Sequence, residues 1–177
     1  MEQIILSTER LDICAFEETD APFVLQLLNS AGWIQYIGDR NVHTIAAAVK
    51  YIRERFLQSY QTNGYGLYTM RLKSTGFTIG TCGLIKRPSL EHTDIGFAVL
   101  PEYMGKGYTS EAAAAVLHYG FKKLHLPTIV AITTPDNIAS QRVLEKIGLR
   151  RDGEIIDPDT QEMLSTFKID LKDYLNL

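Results

Sequence analysis

The chain is poor in the residues that build metal or disulfide chemistry. Cys14 and Cys82 are its only cysteines and lie far apart, with no Cys-x-x-Cys. Two isolated thiols read as small, reduced core side chains rather than a disulfide or a metal site. The four histidines, His43, His92, His118 and His125, have no ligand spacing, so no metal is expected. No apolar run approaches the roughly 20 residues needed to cross a bilayer. The start, MEQIILSTER, lacks the basic stretch and apolar run of a secretory signal. A cytoplasmic protein with no membrane partner is the expectation. There is no basic stripe, and the net charge is −3, which argues against a nucleic-acid partner.

What is present is ordinary for a globular fold. Apolar residues make up 45 % of the 177 positions and charged residues 22 %, so a single domain over 1–177 is expected. Alternation predicts a first strand from Ile4 to Ala15. Thr19 or Asp20 should cap a helix running to Ser30, with Pro22 in its first turn. Ile45, Val49, Ile52, Phe56 and Tyr60 recur at helical spacing after the cap Thr44, and Asn63-Gly64 ends that helix. Strands follow at Tyr65–Leu72, Phe77–Lys86 and His92–Val99. A helix should span Gly107–Leu124, a buried strand Ile129–Ile132, and a helix Asn137–Lys146. Two last strands lie near Leu149–Ile155 and Met163–Leu171. The order is β-α-α-β-β-β-α-β-α-β-β. It describes an α/β (α+β) fold, a largely antiparallel mixed sheet with flanking helices. Its one parallel pair should be the unit from His92 to Ile132.

The strongest chemical signal is PEYMGKGYTSEA, Pro101 to Ala112, set between a strand and a helix. Gly105 and Gly107 let the backbone turn tightly and approach a ligand with no Cβ in the way. The free N–H groups of the next helical turn and the helix dipole favour a diphosphate. Lys106 adds a positive charge or is simply solvated. A dinucleotide fingerprint would need a third glycine where Ser110 stands, and no P-loop spacing occurs. The turn is therefore a phosphate cradle of another kind.

This segment resembles the acetyl-CoA motif of the GNAT acetyltransferase superfamily, Gln/Arg-x-x-Gly-x-Gly/Ala, with Glu102, Gly105 and Gly107 at its positions. Glu102 departs from the usual Gln or Arg, and Met104 stands where the RimJ and RimL ribosomal-protein branch has Trp. Asn137, Ser140, Glu145, Lys146, Gly148 and Leu149 resemble that branch's Asn-x-x-Ser…Glu-Lys-x-Gly-Phe helix, with Leu149 replacing Phe. The resemblance implies acetyl-CoA as co-substrate, held by Phe97, Ala98, Val99, Met104, Gly105, Lys106, Gly107, Tyr108, Thr109, Asn137 and Ser140. It implies oxyanion stabilisation by a backbone N–H around Phe97 to Val99, where parallel strands splay. It also implies that Ser140 serves as proton donor to the departing thiolate. Asn137 and Ser140 read as functional ahead of a plain helix cap and a first-turn polar residue, whereas Glu145 and Lys146 read as a solvated face.

The resemblance implies transfer of an acetyl group to a primary amine, either a peptide N-terminus or a small amine, by direct attack on the thioester. An α-amine, with a pKa of about 7.7–8.0, is partly neutral near pH 7, whereas a lysine at about 10.4 needs a stronger base. Asp94, on the strand leading to the turn, is the first candidate base, with Glu154 and Asp159 as others. Trp33 and Tyr36, between the first two helices, line the acceptor pocket or belong to the core. A non-catalytic acetyl-CoA-binding module stays open as an alternative, as does monomer or homodimer.

Overall fold

The computed structural model describes residues 3–158 and 160–177; the candidate base Asp159 lies outside them. One eight-stranded sheet runs in the order β1-β2-β3-β4-β5-β6-β8-β7. Its strands are β1 (Ile4–Ser7), β2 (Leu11–Cys14), β3 (Leu67–Leu72), β4 (Thr78–Ile85), β5 (Thr93–Val99), β6 (Thr128–Thr133), β7 (Arg150–Ile156) and β8 (Met163–Asp170). Every neighbouring pair is antiparallel except β5 with β6. The expected parallel unit is therefore present, and it is the sheet's one parallel pair among the described residues.

The long strand expected from Ile4 to Ala15 is instead a hairpin of β1 and β2. The polar run Ser7-Thr8-Glu9-Arg10 breaks it. Thr8 N–H donates to the Leu11 carbonyl at 2.8 Å, and Thr8 Oγ1 accepts from the Leu11 amide at 3.0 Å. Threonine's hydroxyl thus closes the turn that an apolar alternation conceals.

On the N-terminal side the helices are α1 (Ala21–Leu28), α2 (Ala31–Tyr36) and a rod made of α3 (Ile45–Tyr51), a π-helical stretch Ile52–Leu57, and α4 (Gln58–Asn63). Thr44 caps the rod, its Oγ1 accepting from Ala47 N–H at 3.1 Å, and Gly64 closes it at φ +76°. The first helix starts directly after Asp20, one of the two expected cap positions, with Pro22 in its first turn, and a 3₁₀ turn Glu18–Asp20 precedes it. Asp20 turns its carboxylate back onto Glu17 N–H at 2.8 Å and onto Arg71 at 2.9 Å. Trp33 and Tyr36 sit on α2 instead of in a loop. Trp33 is buried in a core with Phe16, Val24, Leu27, Ile52, Phe56 and Leu100, and Tyr36 is half-buried.

The other core lies between the sheet and α5 (Tyr108–Lys122), with α6 (Ile138–Lys146) beside it. Ala112, Ala113, Val116, Leu117 and Phe121 of α5 pack with Ile13, Met70, Leu84, Ile95 and Ile129 of the strands. Gly120 lets α5 press down, since a Cβ there would meet Ile129 Cδ1 at 2.7 Å. Cys14 and Cys82 are both buried and free. After β8 the chain ends in a short helix, α7 (Leu171–Tyr174), whose Tyr174 stacks on Phe121 at 4.7 Å. The strand expected to reach Leu171 stops one residue earlier, at Asp170.

Candidate functional site

The parallel pair is very short. β5 and β6 pair only at Thr93 with Ile129 and at Asp94 with Val130. Beyond that, β5 stays paired to β4 through Val99, and β6 to β8 through Thr133. The two strands therefore open into a V. Along its β5 arm the backbone groups facing β6 have no ladder partner, and Gly96 to Val99 turn from buried to half-buried. A narrow gap with free N–H and C=O groups is suited to an extended, amide-bearing chain laid in as an extra strand.

Both arms end at the same side of the sheet, as parallel strands must. From β5 the chain runs through the 3₁₀ turn Pro101–Tyr103 into the glycine turn and α5. From β6 it runs through Thr134-Pro135-Asp136 into α6. Gly105 has φ +72° and Gly107 φ +80°, a left-handed backbone in which side-chain-bearing residues are strained. The 15-residue α5 begins directly after Gly107, so the first amides of Tyr108 and Thr109 carry no helical partner. The turn read from the sequence as a phosphate cradle thus has a left-handed glycine on each side of Lys106 and leads directly into α5. Lys106 contributes its amide alone. Its ammonium folds back onto the Glu102 carbonyl at 2.9 Å and over the Tyr103 ring. Met104 stands half-exposed against Gly32 of α2, its Cε 3.5 Å from the position of a Cβ there.

Opposite the cradle, Asn137 caps α6, its Oδ1 accepting from Ser140 N–H at 3.1 Å. That contact orients the first turn and leaves Ser140 Oγ with no partner among the described residues. Glu145 and Lys146 are exposed, as a solvated face should be. Thr134 Oγ1, at the end of β6, is buried with no hydrogen-bond partner, a condition that a ligand group in the gap would relieve.

Asp94 sits at the apex of the V. Strand alternation puts Ile95 on the α5 face and Asp94, Gly96 and Ala98 on the face of the N-terminal helices, where Ala98 meets the second core. Asp94 is 1 % exposed. Arg87 Nε donates to its Oδ2 at 2.6 Å, while Oδ1 has no partner. Burial pushes this carboxyl up to about 6, against the pull of Arg87 and a weaker one from the Ile132 amide. It is ionised at neutral pH yet basic enough to accept a proton. Burial also raises the Tyr51 hydroxyl on the neighbouring helix, opposed by Arg40, Arg55 and Arg87. Three guanidinium groups from separate segments therefore bear on this side. The other candidate, Glu154, lies on edge strand β7, two strands from β6, in an exposed ion pair with Arg151 at 2.6 Å.

Arg87 was not evident as a site residue in the sequence, and neither were Arg10, Thr8 and Glu111. Thr8 Oγ1, the Arg10 amide and Arg10 Nε all donate to the Glu111 carboxylate, at 2.5, 2.8 and 2.6 Å. Arg87 carried one usable signal, an arginine in the turn that pairs the candidate base's own strand. The Arg10–Glu111 contact spans 101 positions and has no local signature.

The residues present fit a coenzyme A thioester: a glycine turn suited to phosphates, an unpaired strand edge suited to the amide-bearing arm, and a buried hydroxyl without a partner, Thr134 Oγ1, at the end of β6. Residues 10–150 match the model of the acetyltransferase (GNAT) domain. The chain is 36 % identical over 149 residues to the uncharacterized N-acetyltransferase YnaD of Bacillus subtilis (strain 168), covering 84 % of each. It resembles the structure of a GNAT-family acetyltransferase from Bacillus anthracis, at 30 % identity and TM-score 0.78 over 96 % of this chain and 98 % of that one. The same fold, at 18 % identity and TM-score 0.78 over 97 % and 99 %, occurs in RimL, a ribosomal alpha-N-protein acetyltransferase solved with coenzyme A. This chain belongs to the GNAT family of acetyltransferases.

Proposed function

We propose that the protein moves an acetyl group from acetyl-CoA onto a primary amine, either a peptide N-terminal α-amine or a small amine, without a covalent enzyme intermediate. The observation that carries this is the two-residue parallel pairing of β5 and β6 with the glycine cradle at its open end. Acetyl-CoA, when bound, supplies the activated acetyl thioester. The amides of Gly105, Lys106, Gly107, Tyr108 and Thr109 hold its diphosphate. The unpaired edge from Phe97 to Val99 holds the amide-bearing arm and offers an N–H to the carbonyl oxygen as negative charge grows there.

The amine nitrogen bonds to the acetyl carbon, and the carbon–sulfur bond breaks. Asp94 takes the proton the amine must lose, directly or through water. Ser140 Oγ donates toward the departing sulfur. A carboxylate near 6 suits an α-amine, which loses its proton at about 7.7–8.0, far better than a lysine at about 10.4. The arginines around Tyr51 disfavour a polycationic acceptor and favour a neutral or acidic one.

The test is thiol release from acetyl-CoA over a panel of N-terminal peptides, small amines and polyamines. Expected is turnover with peptides or simple amines, and little with polyamines. A protein that binds coenzyme A yet turns over no amine would be a binding module instead, and one that does not bind it at all would refute the site.

A further inference from the structure

We infer that Arg10, from the β1–β2 turn, is part of the coenzyme site: it tethers the glycine turn from outside and presents a guanidinium N–H to a coenzyme phosphate. This rests on the coenzyme reading above.

Four contacts define it. Arg10 Nη1 donates to the Lys106 carbonyl at 3.0 Å, in the middle of the turn. Its guanidinium lies over the Tyr108 ring, 4.5 Å from the centroid. Its Nε and its own amide hold Glu111, one helical turn further on. Its Nη2 stands 3.3 Å from where a Cβ on Gly107 would be, and this nitrogen has no partner among the described residues. An arginine pinned on three sides with its last nitrogen beside the cradle is a pre-oriented anion donor.

The electrostatics require such a residue. Glu111 sits in the first turn of α5, where its negative charge would oppose a diphosphate. Burial raises its carboxyl, but the hydrogen bonds from Thr8 and from the Arg10 amide and guanidinium outweigh that and hold it below its ordinary value. It is ionised, and Arg10 is its counter-ion. Arg10 thereby cancels the one acidic charge nearest the cradle in the helix and keeps the site favourable to anions. With the Lys106 ammonium turned away, Arg10 supplies the cationic component of the rim.

The test separates phosphate recognition from mere support of the loop. Native protein and R10Q are titrated calorimetrically with coenzyme A and with pantetheine, which lacks the phosphates. R10Q should weaken coenzyme A about tenfold, the loss of one charge-assisted hydrogen bond, and leave pantetheine within about twofold. R10K should recover part of the loss. With acetyl-CoA the change should fall on KM, with kcat nearly unaltered. An R10Q protein that binds coenzyme A like the native one, or that loses both ligands equally, overturns the inference. Should R10Q not fold, native protein carries the test. Coenzyme A, but not pantetheine, should shield Arg10 from phenylglyoxal, read by peptide mass spectrometry, and equal labelling overturns the inference. Native protein that ignores coenzyme A removes the parent reading as well, so the two failures are told apart.

Discussion

At the scale of single residues, Asp94, the proposed base, should tie stability and activity to one pH window with opposite signs. Its carboxyl rises from 3.8 to about 6 on folding, so between those values the folded state binds the extra proton. Its contribution to stability is complete below about pH 4 and declines as pH climbs through about 6. With Asp94 as the proposed base, activity should need the ionised form and rise over the same interval. The amine's own proton adds a second dependence near 8. The logarithm of kcat/KM should therefore climb with a slope of about two below pH 6 and about one between 6 and 8. D94N should lower kcat/KM by about a hundredfold, remove the steeper limb, and flatten the fall in urea stability between pH 4 and 6. An unchanged pH profile would dismiss Asp94 as the base. For Ser140, S140A should cut kcat several-fold more than it raises KM for acetyl-CoA, because its proposed hydrogen bond forms only as sulfur departs. If neither constant moves, the serine has no part in the chemistry.

Elements were legible where their signals are local. The cap Thr44, the stop Asn63-Gly64, the glycines before α5 and the cap Asn137 all act within four residues of themselves, and each appears where its type demands. The hairpin at Thr8 was hidden because an apolar alternation runs on both sides of it. The π-helical stretch Ile52–Leu57 was hidden because Ile52 and Phe56 keep helical spacing through it. The site divided along the same line. The glycine turn, Ser140 and Asp94 were candidates from motif and register, whereas the contacts of Arg87 and Arg10 required the folded backbone. β4 carries a further constraint of this tertiary kind. A Cβ on Gly83 would lie 2.2 Å from the Gly66 carbonyl oxygen and 2.6 Å from Leu67 Cα, both backbone atoms that cannot swing away. G83A should therefore cost about 2 kcal/mol in denaturant unfolding, although alanine is an ordinary strand residue. Stability equal to native would mean that β3 and β4 shift apart freely.

For the molecule as a whole, ligand binding and folding are linked. A ligand at a hundred times its Kd adds about 2.7 kcal/mol to the folded state, which for a chain of this size corresponds to roughly 5–10 °C in melting temperature. Coenzyme A should produce that shift in native protein. G107V should abolish it, since valine cannot hold φ +80° and its branches would meet Arg10. A normal shift in G107V would remove the cradle assignment. One continuous sheet carries a core on each face.

The gap between β5 and β6 also divides one strand into two classes of amide. Those of β5 that point to β4 belong to an eight-stranded ladder, while the alternate ones past Ile95 have no strand to pair with. Deuterium should therefore enter Phe97 to Val99 in an every-other-residue rhythm, fast at Phe97 and Val99 and slow at Ala98. Coenzyme A should silence the fast members alone, so that a spectroscopist could watch the strand acquire its missing neighbour.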